Sequence, residues 1–101
     1  MKTVKKAKDL RTIDDLKKFL EEFFRGKEVK VYLFGSRAKG ENTVHSDIDL
    51  ALESKEDINK DIVLLKEILE ESYLPYKVDI INLKNTPYLK KIVKKEGKRW
   101  L

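Results

Sequence analysis

Apolar residues recur with two different periods along this chain, and the changes of period divide it into elements. Ile13, Leu16, Leu20, Phe23 and Phe24 keep to one helical face, with Thr12-Ile13-Asp14-Asp15 as a capped start and Gly26 as a stop. Val29 to Gly35 reads as a strand, and the continuous apolar run Val31-Tyr32-Leu33-Phe34 predicts burial on both of its faces. A short helix is expected from Ser36, followed by a polar loop from Glu41 to Ser46. Asp47 to Glu53 alternates cleanly, placing Ile48, Leu50 and Leu52 on one face and Asp47, Asp49 and Ala51 on the other. Ser54 to Asp57 offers another cap, ahead of a helical stripe of Ile58, Ile62, Leu65, Ile68 and Leu69 that ends before Pro75. Lys77 to Leu83 is a third strand. Thr86-Pro87 then opens a last helix that carries Leu89, Ile92 and Val93 to Gly97.

The resulting order is helix, strand, short helix, strand, helix, strand, helix. It predicts an α/β fold in which one three-stranded sheet packs against helices. A chain of 101 residues can bury one core, so residues 1–101 are expected to form a single domain.

Chemistry concentrates between residues 35 and 49. A strand that ends at Gly35 brings backbone N–H groups to where a phosphate can approach, because no Cβ stands in the way, and Ser36 follows at once. Asp47 and Asp49 leave one strand face roughly 6 to 7 Å apart, which at an effective dielectric near 20 costs about 2 to 3 kcal/mol of repulsion. A hard divalent cation turns that repulsion into attraction, and Mg²⁺ keeps open positions for phosphate. Asp79 interrupts the apolar run Val78-Asp79-Ile80-Ile81, where a purely structural strand favours a β-branched residue. If the third strand lies beside the second, Asp79 completes a cluster with Asp47 and Asp49.

Composition narrows the options. Without cysteine there is neither a disulfide frame nor a thiolate metal site, and a single histidine leaves oxygen ligands as the metal chemistry. No apolar stretch approaches the roughly 18 to 20 residues that span a bilayer, and no apolar signal segment follows the basic N-terminus, so a soluble cytoplasmic protein is expected. The net charge of +5 hides an uneven distribution: residues 1–11 and 84–101 together sum to +10 and the middle to −5. The Lys-rich ends read first as solvated faces, and as an alternative one or both of them dock an acidic partner. The absence of a recognisable reading module, and the acids gathered at the motif, argue against direct nucleic-acid binding.

Gly35-Ser36, ten residues, then Asp47-Ile48-Asp49 resembles the signature of the DNA polymerase beta-type nucleotidyltransferase superfamily. The fuller form, Leu33-Phe34-Gly35-Ser36-Arg37-Ala38-Lys39-Gly40 with Ser46-Asp47-Ile48-Asp49-Leu50, resembles the minimal nucleotidyltransferases, or MNT domains. Nearly the whole chain fits, through Val78-Asp79-Ile80 and the closing Ile92-Val93-Lys94-Lys95-Glu96-Gly97, while Lys39 stands where that family often has Arg. The resemblance implies a small mixed three-stranded sheet packed with about four helices. It implies that Asp47, Asp49 and Asp79 bind two Mg²⁺ ions and are catalytic, with Asp79 assisting deprotonation of the attacking hydroxyl. It also implies that Gly35, Ser36 and Arg37 hold the nucleotide phosphates. The reaction implied is in-line transfer of a nucleoside monophosphate from an NTP with release of pyrophosphate.

MNT domains of this size resemble the antitoxin half of HEPN/MNT toxin-antitoxin pairs, which as a family transfer AMP from ATP to a tyrosine of the HEPN ribonuclease toxin. That resemblance makes an enzymatic antitoxin with a HEPN partner the leading expectation. Two alternatives stand beside it: an antitoxin that neutralises the toxin by stoichiometric binding, and a nucleotidyltransferase acting on RNA or a small molecule.

Overall fold

The computed structural model describes residues 10–35 and 47–101. Among them the order is α1 (Ile13–Phe23), β1 (Val29–Phe34), β2 (Ile48–Ser54), α2 (Asn59–Glu70), β3 (Val78–Asn82), a 3₁₀ turn (Pro87–Leu89), α3 (Lys90–Glu96) and β4 (Lys98–Arg99). The helix expected at Ser36 lies outside the described residues.

α1 begins as its sequence predicts. The Thr12 hydroxyl accepts from the Asp15 N–H at 3.0 Å, and the Asp15 carboxylate accepts from the Thr12 N–H at 3.2 Å, which satisfies two N-terminal donors reciprocally. α2 starts one residue later than the apolar stripe suggests. Ile58 is its N-cap without a side-chain cap bond, while Asp57 accepts the Asn59 N–H at 3.0 Å.

The strands assemble in the order β3-β2-β1-β4. β1 runs antiparallel to β2 and β4, and β2 runs parallel to β3, so the sheet is mixed. It has four strands where three were expected. The fourth is only two residues long and arises because Lys98 and Arg99 pair with Leu33 and Tyr32. A segment so short carries no readable periodicity; tertiary pairing alone makes it a strand.

One face of the sheet carries the main core. Val31, Ile48, Leu50, Leu52 and Ile80 pack there against Leu16, Phe19 and Leu20 of α1 and Ile62 and Leu65 of α2, with Trp100 and Leu101 closing one side. Among the described residues the opposite face is only partly covered. α3 lays Val93 over Tyr32 and Ala51, with Leu83 and Leu89 beside it. Ile92, expected on the apolar side of that helix, is half exposed instead, because the residues that meet the sheet are Leu89 and Val93, one turn apart. Gly97 ends α3 at a contact no side chain could share: a Cβ there would stand 2.5 Å from the Val93 carbonyl and 3.0 Å from that of Leu33. Among the described residues no helix is long and apolar enough to cross a membrane.

Candidate active site

Because β1, β2 and β3 are in register, the face under α3 resolves into cross-strand rows. Phe34, Asp49 and Asp79 form one row; Tyr32, Ala51 and Ile81 form the next; Lys30 and Glu53 lie beyond them. Only the middle row is apolar, and it is the one that α3 covers. The acidic row is left at the sheet's end, beside the turn at Gly35.

Parallel pairing of β2 with β3 sets Asp49 directly opposite Asp79, as the strand arrangement inferred from the sequence requires. Asp47 stands one residue ahead of β2, exposed, rather than inside the strand. Burial raises the Asp49 pKa, and the negative charges of Asp79 and Asp47 raise it further. Lys77 approaches Asp79 only to 4.0 Å, with both side chains well exposed.

Gly35 is fitted to this carboxylate. Its φ is +82°, a conformation L side chains rarely adopt, and a Cβ built on it would lie 2.5 Å from Asp49 Oδ2. The missing side chain therefore gives the Asp49 carboxylate its place and keeps the turn's backbone open. Ser36 and Arg37, the other two residues expected to hold phosphate, lie outside the described residues, as do Lys39 and His45. A groove of about 550 Å³ runs from Asp79 along β3 toward the end of α2, between Leu74, Tyr76 and Ile81.

The chemistry of this donor set suits a hard cation. It offers carboxylate oxygens and no sulfur, and its central member is partly desolvated and repelled from two sides, a charge imbalance that a divalent ion relieves. Among the described residues, however, no group of three His, Cys, Asp or Glu side chains is drawn together tightly enough to count as a ligand cage.

The family model described as "Polymerase beta, Nucleotidyltransferase" matches residues 14–100, which includes the Gly35 turn and all three carboxylates. The chain belongs to this nucleotidyltransferase family. Its relatives include "Putative protein adenylyltransferase MJ1379" of Methanocaldococcus jannaschii, 35% identical over 100 residues that cover 95% of this chain and 96% of that one. "Probable protein adenylyltransferase MntA" of Haemophilus influenzae is 42% identical over 59 residues, 55% of this chain and 50% of the relative. The solved structure "Crystal structure of putative nucleotidyltransferase" matches with a TM-score of 0.52 and 24% identity, over 86% of this chain and 95% of that chain. That last likeness concerns the fold.

One part of this nucleotidyltransferase was missed from its sequence. Glu53, four residues beyond Asp49 on the same face, accepts from Lys90 at 3.1 Å and Lys94 at 3.2 Å, and the Tyr32 hydroxyl donates to it at 3.4 Å. Burial pushes the Glu53 pKa up, but the two lysine hydrogen bonds and charges outweigh it and leave the pKa lowered. These contacts fasten α3 across the sheet. The period-two face of β2 contained the signal, since Glu53 continues the series Asp47, Asp49, Ala51.

Proposed function

We propose that this nucleotidyltransferase is an antitoxin that acts as a Mg²⁺-dependent protein adenylyltransferase. It transfers AMP from ATP to a tyrosine of a cognate HEPN ribonuclease toxin and releases pyrophosphate. The observation that carries the reading is the cross-strand pair of Asp49 and Asp79 beside Gly35. The relatives named protein adenylyltransferases support the choice of AMP and of a protein acceptor. The HEPN partner and the tyrosine rest on the resemblance of Leu33 to Gly40 and Ser46 to Leu50 to MNT antitoxins.

In this reading the Gly35 turn receives the triphosphate through backbone N–H groups, with Ser36 and Arg37 contributing side-chain donors. Asp47, Asp49 and Asp79 would hold two Mg²⁺ ions, which when bound supply neutralisation of the triphosphate and of the leaving pyrophosphate. Asp79 lies in the outermost strand of the acidic row and next to the groove, where an acceptor hydroxyl can reach it. It assists removal of that hydroxyl's proton. The oxygen forms a bond to the α-phosphorus of ATP, the bond from that phosphorus to the bridging oxygen breaks, and pyrophosphate departs with the electron pair.

The test is intact-mass spectrometry of a HEPN protein co-expressed with this chain. Adducts of AMP mass are expected with the parent and none with the Asp47→Asn, Asp49→Asn double variant. Full neutralisation of the toxin by that double variant, without any adduct, would favour stoichiometric binding and overturn the enzymatic reading.

A further inference from the structure

A second concentration of charge, opposite in sign, lies at the other end of the sheet. A cavity of about 650 Å³ is lined by Lys27, Lys30, Lys55, Lys84, Lys90 and Arg99, over a floor that includes Val29 and Leu83. The six cations come from five separate stretches of the chain, brought together by the fold. Glu28 and Glu53 are the acids in its wall.

Two of the cations are anchored: Lys27 donates to Asp61 at 2.8 Å and Lys90 to Glu53 at 3.1 Å. The Arg99 Nε–H is turned to the Leu101 carbonyl. Lys30, Lys55 and Lys84 have no carboxylate partner among the described residues, and all three are exposed. Convergence of like charge without matching acids is unfavourable in itself, and it is relieved by an anion.

The cavity is within the range of small-ligand sites. Among the described residues its lining holds no aromatic ring on which a base could stack, so recognition falls to charge rather than to a nucleobase. Glu53 lies four residues from Asp49, about 13 Å along the strand, and the apolar row beneath α3 separates the two ends. We propose that this cavity is a second anion site, separate from the acidic row, that takes a chain of phosphate groups. Free oligophosphate and the backbone of a nucleic-acid strand share that chemistry. The proposal does not depend on the adenylyl-transfer reading.

The probe is inorganic triphosphate, titrated into the ¹⁵N-labelled full chain in EDTA, where the acidic row repels it. Saturable amide shifts are expected at Lys30, Ser54, Lys55 and Lys84, weakening as salt is added. Lys30→Glu with Lys84→Glu should lower the affinity about tenfold or more, as should Lys55→Glu alone to a smaller degree. A short single-stranded RNA that displaces the triphosphate identifies a nucleic-acid backbone as the source; failure to displace it identifies free oligophosphate. Absence of binding at millimolar triphosphate, shifts confined to Gly35 and Asp47, or undiminished binding by the charge-reversed variants would overturn the proposal.

Discussion

At the scale of single residues, Gly35 and Asp49 form one unit. A glycine is demanded twice, by the positive φ and by the Asp49 oxygen that occupies the place of a Cβ. Gly35→Ala is expected to cost about 1 to 2 kcal/mol for the backbone conformation. Since the new methyl must displace the Asp49 carboxylate, nucleotidyl transfer should fall by about a hundredfold, read as initial rate beside a denaturation curve. Asp49→Asn should separate stability from activity. The folded-state pKa of Asp49 is raised above 3.8, so the folded protein holds that proton more tightly than the unfolded chain, and stability is lost as pH rises through the folded value. At neutral pH without divalent metal, Asp49→Asn should therefore melt above the parent while transfer is abolished. The difference in melting temperature should shrink as pH is lowered toward 3.8. A variant that melts below the parent at neutral pH would contradict this account of the carboxylate.

At the scale of elements, α3 is short and mostly exposed, and it keeps its position through Val93 on the apolar side and Glu53 on the polar side. The Glu53 pKa is lowered below 4.5, so its contribution is present above that value and is lost as pH falls through the folded one. Glu53→Gln is expected to destabilise by about 1 kcal/mol near neutral pH, given that Lys90 and Lys94 are each about half exposed. The gap from the parent should close below pH 4.5 in urea titrations. Elements with a strong local signal were legible: the Thr12 start of α1 fell where the sequence put it, the alternation of β2 holds from Ile48, one residue later than read, and Pro87 opens a 3₁₀ turn that leads into α3 at Lys90. Those that depend on a distant partner were not. Lys98 and Arg99 become a strand only because β1 presents an unpaired edge, and Ile92 turns outward because α3 meets the sheet through Leu89 and Val93.

At the scale of the whole molecule, register gives one sheet face an acidic end and an apolar middle under α3, and a basic cavity lies at the sheet's other end. The uneven charge visible along the sequence anticipated a division, but placed it between the chain's ends and its middle. Folding redistributes it, because Lys27, Lys30 and Lys55 from the middle join Lys84, Lys90 and Arg99 from the C-terminal stretch around one cavity. The sequence by itself determined the donor types, the glycine turn, the strand alternation that turns Asp49 away from the core, and the family. These are local, carried by spacing and by the chemistry of single side chains. Only the tertiary structure decided that Asp79 faces Asp49, that Glu53 ties α3 down and that six cations share a cavity. Each of those facts depends on which strands become neighbours and in what register, and non-local pairing leaves no periodic trace along the chain.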